Sequence, residues 1–302
     1  MRRLLLALSL LSGLAAAQGL DMSQGGPVDI TADDGIEWRQ AEQVVIARGN
    51  ARASRDGTTV EAARLLARYR PAAGEADPAR PGETPLSGGN EIWRMEAEGN
   101  VRIFTATDRA TGDRGVFDMD QSVMVLTGRN LSYATPQQTI TSRDSLEYWS
   151  ERRMAVARGE AVVTTEDGRR ITADTLVAYM LADPQPVPGG AAPARGVAQA
   201  RPGTQGTAAP PPGQGRIDRI ELFGNVEIRT ATEVVRGERG VYSAQTGMAR
   251  LLGDVRITRQ ENQVNGREAL VNMNTGVSRI VSAPGQRVQG LIVPQQGQAV
   301  PR

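Results

Sequence analysis

Apolar and polar side chains alternate through Val226-Glu227-Ile228-Arg229 and again through Val255-Arg256-Ile257-Thr258, each run following a glycine and a polar residue, Gly224-Asn225 and Gly253-Asp254. A period of two is that of a strand with one face buried. The runs stand 29 residues apart, the length of a supersecondary unit that stacks on copies of itself. A second half follows in each unit: Val235-Arg236-Gly237-Glu238-Arg239-Gly240-Val241-Tyr242, then Val264-Asn265-Gly266-Arg267-Glu268-Ala269-Leu270. Its small residue before the last apolar one admits a close neighbour or a bend. Gln245-Thr246-Gly247 and Asn274-Thr275-Gly276 predict hairpin loops.

The same pattern recurs with damage. Further units open at Gly49-Asn50, Gly99-Asn100, Gly128-Arg129-Asn130 and Gly159-Glu160, two of them turning at Asp56-Gly57 and Asp167-Gly168. Residues 28–33 form a short alternating strand, and residues 35–47 a hairpin. Successive unit starts lie 50, 29, 31, 65 and 29 residues apart. The two long gaps hold residues 71–90 and 183–215, rich in Pro, Gly, Ala and Gln, which are expected to be disordered surface loops. No helical period exceeds two turns beyond the N-terminus. The pattern predicts an all-β array that reads strand, turn, strand, turn, with each Gly-polar pair at a strand junction.

Composition narrows the class. The 302 residues are 39% hydrophobic but only 4% aromatic, so a core rests on Val, Leu, Ile and Ala. All 35 basic residues are arginines, dispersed, and net charge is +1, which argues against phosphate-neutralising contact with nucleic acid. Residues 1–17, MRRLLLALSLLSGLAAA, read as a cleaved secretory signal, its apolar run too short to span a bilayer. Removal leaves a net charge of −1, a polar leader over residues 18–27, and a destination in the periplasm. With no cysteine, the chain enters an oxidising compartment without disulfides.

Catalytic chemistry finds little footing. Without histidine or cysteine there is no imidazole base, no thiol nucleophile and no Cys or His metal ligand, and no cofactor is expected. Asp118 with Asp120, or Asp33 with Asp34, are the candidate acid pairs, but they flank turns where acids are solvated. The chain is read as a non-enzyme.

An apolar face does recur: Val101, Ile103, Val116, Val125, Val162, Ile171, Leu176, Val226, Ile228, Val241, Leu251, Val255 and Ile257. By periodicity this is equally the core of a closed sandwich. At the two ends, Val28 and Ile30 in the first strand and Leu291, Ile292 and Val293 in the last are candidate assembly edges, because unblocked edges invite another chain. Two unlike edges make any self-contact head-to-tail.

The repeated Gly-Asn-Val-x-Ile sentence at residues 98–103 and 223–228, its Gly-Asp-Val-Arg-Ile variant at 252–257, the run Asn265-Gly266-Arg267-Glu268-Ala269-Leu270 and the closing Arg287-Val288-Gln289-Gly290-Leu291-Ile292-Val293-Pro294 resemble the LptA and OstA-like family of periplasmic lipopolysaccharide-transport proteins. The resemblance covers about residues 28–294 apart from the inserts, leaving 295–302 as a flexible tail. It implies an elongated antiparallel β-jellyroll of one or two OstA-like copies, open along one side, whose apolar groove holds lipopolysaccharide or its lipid A portion. Partners implied are LptC-like and LptD-like proteins and further copies joined head-to-tail into a bridge between membranes. Arg102 and Arg256 are candidate contacts for lipid phosphates. A scaffold that packs the same strands into a closed core and binds only proteins is the alternative.

Overall fold

Most of the alternating runs turn out to be halves of longer strands. The computed structural model describes residues 28–55, 57–71, 90–181, 217–282 and 287–291. Among them are the strands β1 (Asp29–Thr31), β2 (Gly35–Arg39), β3 (Val44–Arg55), β4 (Thr58–Pro71), β5 (Asn90–Phe104), β6 (Arg109–Asp118), β7 (Val123–Thr127), β8 (Leu131–Ala134) and β9 (Gln138–Ser142). The series continues with β10 (Ser145–Trp149), β11 (Met154–Thr165), β12 (Arg170–Met180), β13 (Ile217–Arg229), β14 (Val234–Ser243), β15 (Met248–Arg259), β16 (Asn262–Asn272), β17 (Val277–Val281) and β18 (Gln289–Leu291). One 3-10 turn, Gln40–Glu42, joins β2 to β3.

The Gly-polar pairs explain the length of these strands. Gly224 and Asn225 have φ of +74° and +47°, Gly253 and Asp254 +78° and +41°, and the pairs at 49, 99 and 159 behave alike. Two successive left-handed residues drop out of the ladder as a bulge, bend the strand and let it resume against the same neighbour. Register accordingly shifts between Phe223 and Val226 and between Leu252 and Val255. Glycine takes this conformation without a Cβ clash and Asn or Asp tolerates it. The pairs therefore stand in the middle of strands, correcting the expectation that they mark strand junctions. Around Gly128 and around Asp144 the strand is interrupted, so that β7 and β8, and β9 and β10, are separate halves, as are β1 and β2 at one end and β17 and β18 at the other.

Bending every strand produces two antiparallel ladders. One runs β2-β3-β4-β5-β6-β7-β10-β11-β12-β13-β14-β15-β16-β17, through the half of each long strand that lies on one side of its bend. The other runs β1-β3-β4-β5-β6-β8-β9-β11-β12-β13-β14-β15-β16-β18 through the remaining halves. Fourteen rungs at about 4.8 Å make each ladder roughly 60 Å long. The ladders fold over one shared core along the line of bends. On the opposite side their free ends meet without strand pairing among the described residues. There Ser278 Oγ donates to Glu233 Oε1 at 2.5 Å and Arg259 Nη2 donates to the carbonyl of Gly276 at 3.3 Å. The result is an all-β, jellyroll-like architecture built from strand pairs, as the sequence pattern predicts.

The tight turns fall where the loop chemistry places them. Gly247 and Gly276 have φ of +68° and +69°, and their N–H groups donate to Ser243 and Asn272. Gly57 and Gly168 close the other two turns with φ of +80° each. The expected signal (1–17), leader (18–27), insert 183–215 and tail (295–302) lie outside the described residues. Of the insert 71–90, only Pro71 and Asn90 are described, and they pair with one another as the last rung between β4 and β5.

Candidate functional site

The bends set which side chains enter the space between the ladders. Counting from a bend glycine, positions −4, −2, +2 and +4 point inward: Met95, Ala97, Val101 and Ile103 on β5, and Ile220, Leu222, Val226 and Ile228 on β13. On the strands between, the inward set is Val60, Ala62, Leu65 and Ala67 on β4 and Ile171, Ala173, Leu176 and Ala178 on β12. Two inward glycines bring the layers close. A Cβ on Gly115 would stand 3.5 Å from Val101, and one on Gly240 3.5 Å from Val226, each beyond the bend.

Nine of the thirteen apolar candidates face this interior: Val101, Ile103, Ile171, Leu176, Val226, Ile228, Leu251, Val255 and Ile257, all in the common core. Val116, Val125, Val162 and Val241 do not, and they are corrected here to the outer face. Val116 and Val125 are opposite one another across β6 and β7, and Val241 is 41% exposed. In each case the neighbour in an apolar pair or an adjacent residue holds the inward place: Phe117, Leu126, Val163 and Gly240. Alternation alone cannot phase a doublet such as Val162-Val163, whereas the count from Gly159 can. The same count recovers interior residues that were missed, among them Leu222, Val163 and Leu126.

The outer face is laid with ion pairs. Glu96 is 7% exposed on that face, with Arg114 at 2.7 Å, Arg94 at 3.2 Å and Arg68 at 3.3 Å. Burial alone would push its carboxyl up, but the hydrogen bonds from Arg114 and Arg68 and the charge of Arg94 hold it below the usual range. Arg102 Nη2 lies 2.9 Å from Glu61 Oε2, and Arg256 stands across from Arg236 and Asn265. Both arginines are thus on the outer face, not among the interior side chains. The candidate acid pairs are held structurally: Asp120 takes a double hydrogen bond from Arg70 at 2.6 and 2.8 Å, and Asp33 accepts from Asn50 at 2.8 Å. Among the described residues no cluster of acids is arranged to hold a metal.

Both ends of the array are edges. Among the described residues β1 and β2 pair only with β3, and β17 and β18 only with β16. Large exposed apolar side chains gather there: Ile36 and Trp38 on β2, Val277 on β17, and Val288 and Leu291 at β18. Of the expected edge residues, Val28 and Ile30 pack partly against the core, Leu291 is 63% exposed, and Ile292 and Val293 lie outside the described residues.

Comparison with known proteins places this architecture. An uncharacterised protein of Rhizobium meliloti (strain 1021) is 26% identical over 114 residues, which is 38% of this chain, and the chain spans 56% of that relative's length. LptH, the LptA-homologous periplasmic component of the lipopolysaccharide transport device of Pseudomonas aeruginosa, is 15% identical, with a TM-score of 0.37 over 52% of this chain and 95% of that one. The sequence model of the LptA and LptD N-terminal domain family matches twice, over residues 29–148 and 139–277. The chain belongs to that family of lipopolysaccharide transport proteins.

Proposed function

We propose that the chain carries lipopolysaccharide across the periplasm by holding its acyl chains, the lipid A portion, between the two ladders. The observation that carries this reading is the continuous apolar interior. It runs from Ala53 and Val60 at one end to Ala269 and Val271 at the other. It is closed by covalent bends along one side and by loops and side chains along the other. Parting the ladders at the loop side breaks no ladder hydrogen bonds, so acyl chains have an entry route that leaves the sheet intact. The double family match supports two OstA-like copies sharing one array. Cleavage of residues 1–17 delivers the chain to the periplasm.

The edges support the assembly part of the reading. Unlike apolar edges at β1/β2 and β17/β18 suit head-to-tail addition of further copies, and of LptC-like and LptD-like partners at the two membranes. A filament of this kind lengthens the interior with each copy.

One observation favours the scaffold reading. Ile103, Leu126, Leu176, Leu222 and Leu251 are all less than 2% exposed, so the interior is filled by the chain's own side chains. The test is uptake of a fluorescent apolar probe by the purified chain, followed by displacement with lipopolysaccharide. Displacement is the result expected. A chain that takes up no probe is a packed scaffold.

A further inference from the structure

At five of the six bends the glycine is covered by an acid from the preceding rung: Asp34 against Gly49, Asp113 against Gly128, Asp144 against Gly159, Asp174 against Gly224 and Glu238 against Gly253. Several of these carboxylates also take hydrogen bonds, as Asp174 does from Asn225 and Asp113 from the backbone N–H of Arg129. Gly99 is the exception. The residue beside it is Ala63, whose Cβ is the only neighbour a side chain on Gly99 would meet. A cavity of about 710 Å³ opens on the outer face at this place, within the span that small ligands occupy.

The cavity's lining has the chemistry to receive an anion. Ala63, Gly99 and Asn100 stand opposite no residue in the register of the neighbouring strands, as bulge residues do. Arg52, Arg102 and Arg129 line the walls against two acids, Glu61 at 2.9 Å from Arg102 and 3.6 Å from Arg52, and Asp113 at 3.3 Å from Arg129, so the lining carries one positive charge in excess. At two other bends the asparagine amide donates to a carboxylate of the chain, Asn50 to Asp33 and Asn225 to Asp174; beside Asn100 stands Ala63, which has no carboxylate to offer. The volume exceeds what an oxyanion alone fills, and beside Ala62, Ala63 and Val101 the remaining lining offers the amides of Asn50 and Asn130 and the hydroxyls of Thr31 and Thr111, partners that sugar hydroxyls need.

We propose that this cavity binds a sugar phosphate, its oxyanion taking the place that an acid of the chain holds at the other bends. Arginine suits a phosphate by its fork of donors, and the Asn100 amide is the counterpart of the one that Asn225 gives to Asp174. The arginines and acids of the site stand on the outer face, at the line of bends, and the proposal stands without the acyl-carrier reading.

Calorimetric titration of the purified chain with glucose 6-phosphate, glucose and inorganic phosphate tests it. Glucose 6-phosphate binds and glucose does not. Ala63→Asp, which restores the acid of the other bends, weakens binding about tenfold or more through like-charge repulsion. Arg102→Ala also weakens it, which covers the case of a poorly folded Asp variant. Arg256→Ala, the repeat-related arginine of β15, leaves it unchanged. Competition by lipopolysaccharide identifies the sugar phosphate as part of that glycolipid, and its absence identifies a free sugar phosphate. Equal binding by the Ala63→Asp variant overturns the proposal, as does inorganic phosphate binding as tightly as the sugar phosphate, which marks an adventitious ion only. Apolar-probe uptake by Ala63→Asp stays at the unmodified level, so the two readings fail separately.

Discussion

Asn225 Nδ2 donates to both carboxylate oxygens of Asp174, at 3.1 and 2.9 Å, across 51 positions of sequence. The contact joins neighbouring rungs of the array at one of the bends that turn a flat sheet into two facing ladders. It also covers Gly224, so the bend is held by an amide, a carboxylate and a glycine together.

Gly224→Ala meets two obstacles: a φ of +74° and the Asp174 carboxylate in the space its methyl needs. A loss of about 2–3 kcal/mol is expected. Gly57→Ala has a similar φ of +80° but open space around it, so about 1 kcal/mol is expected there. Urea denaturation of the two variants should separate these values.

Glu96 pairs with three arginines on the outer face. Its folded-state pKa is below the ordinary value, so its stabilising contribution is present above the unfolded pKa and disappears as pH falls through the folded one. Glu96→Gln should cost about 1–3 kcal/mol at neutral pH, leaving the guanidinium groups uncompensated. Below the carboxylate range the two proteins should converge. A variant whose deficit persists unchanged into acid would contradict this account.

Inward and outward phase can be read with a photo-crosslinking side chain placed in cells at adjacent positions. Val163 and Leu126 point into the interior, Val162 and Val125 away from it. Lipopolysaccharide adducts are expected at residues 163 and 126 and not at 162 and 125. Equal labelling of neighbours would remove the interior as the lipid site.

Ile36 and Val277 are 52% and 64% exposed on the two edge strands of one ladder. Lysine at either position charges an edge that must pair for head-to-tail growth. Light scattering should show assembly shifted to about tenfold higher concentration for each variant, with circular dichroism unchanged. A strict monomer at every concentration of the unmodified chain would end the edge-pairing reading.

The buried Glu233 takes Ser278 at 2.5 Å and Arg259 at 2.9 Å where the ladder ends meet. Ser278→Ala leaves that carboxylate short of a donor, at a cost of about 1–3 kcal/mol. Amide exchange should quicken in β17 and stay as it is in β2 at the far end of the array.

Much of this architecture was legible in the residues. Alternation identified the strands, the Gly-ended triplets located their hairpins, and the recurring Gly-polar pairs announced a repeat, because each of these is a local backbone preference. Position relative to the bend was not legible in the same way. On the strands between the Gly-polar ones the inward phase shifts at the bend, so Leu176 follows Ala173 into the core at a spacing of three, and only the folded strand shows that both belong to it. Apolar doublets such as Val116-Phe117 carry no phase of their own. The covering acids obey a spacing that a sequence does display, 15 residues from Asp34 to Gly49, from Asp113 to Gly128, from Asp144 to Gly159 and from Glu238 to Gly253. The inserts stretch it to 36 between Ala63 and Gly99 and to 50 between Asp174 and Gly224. That Asp174 covers its glycine and Ala63 leaves one bare was decided by tertiary pairing alone, since hydrogen bonds between rungs align the bends whatever length of chain lies between them.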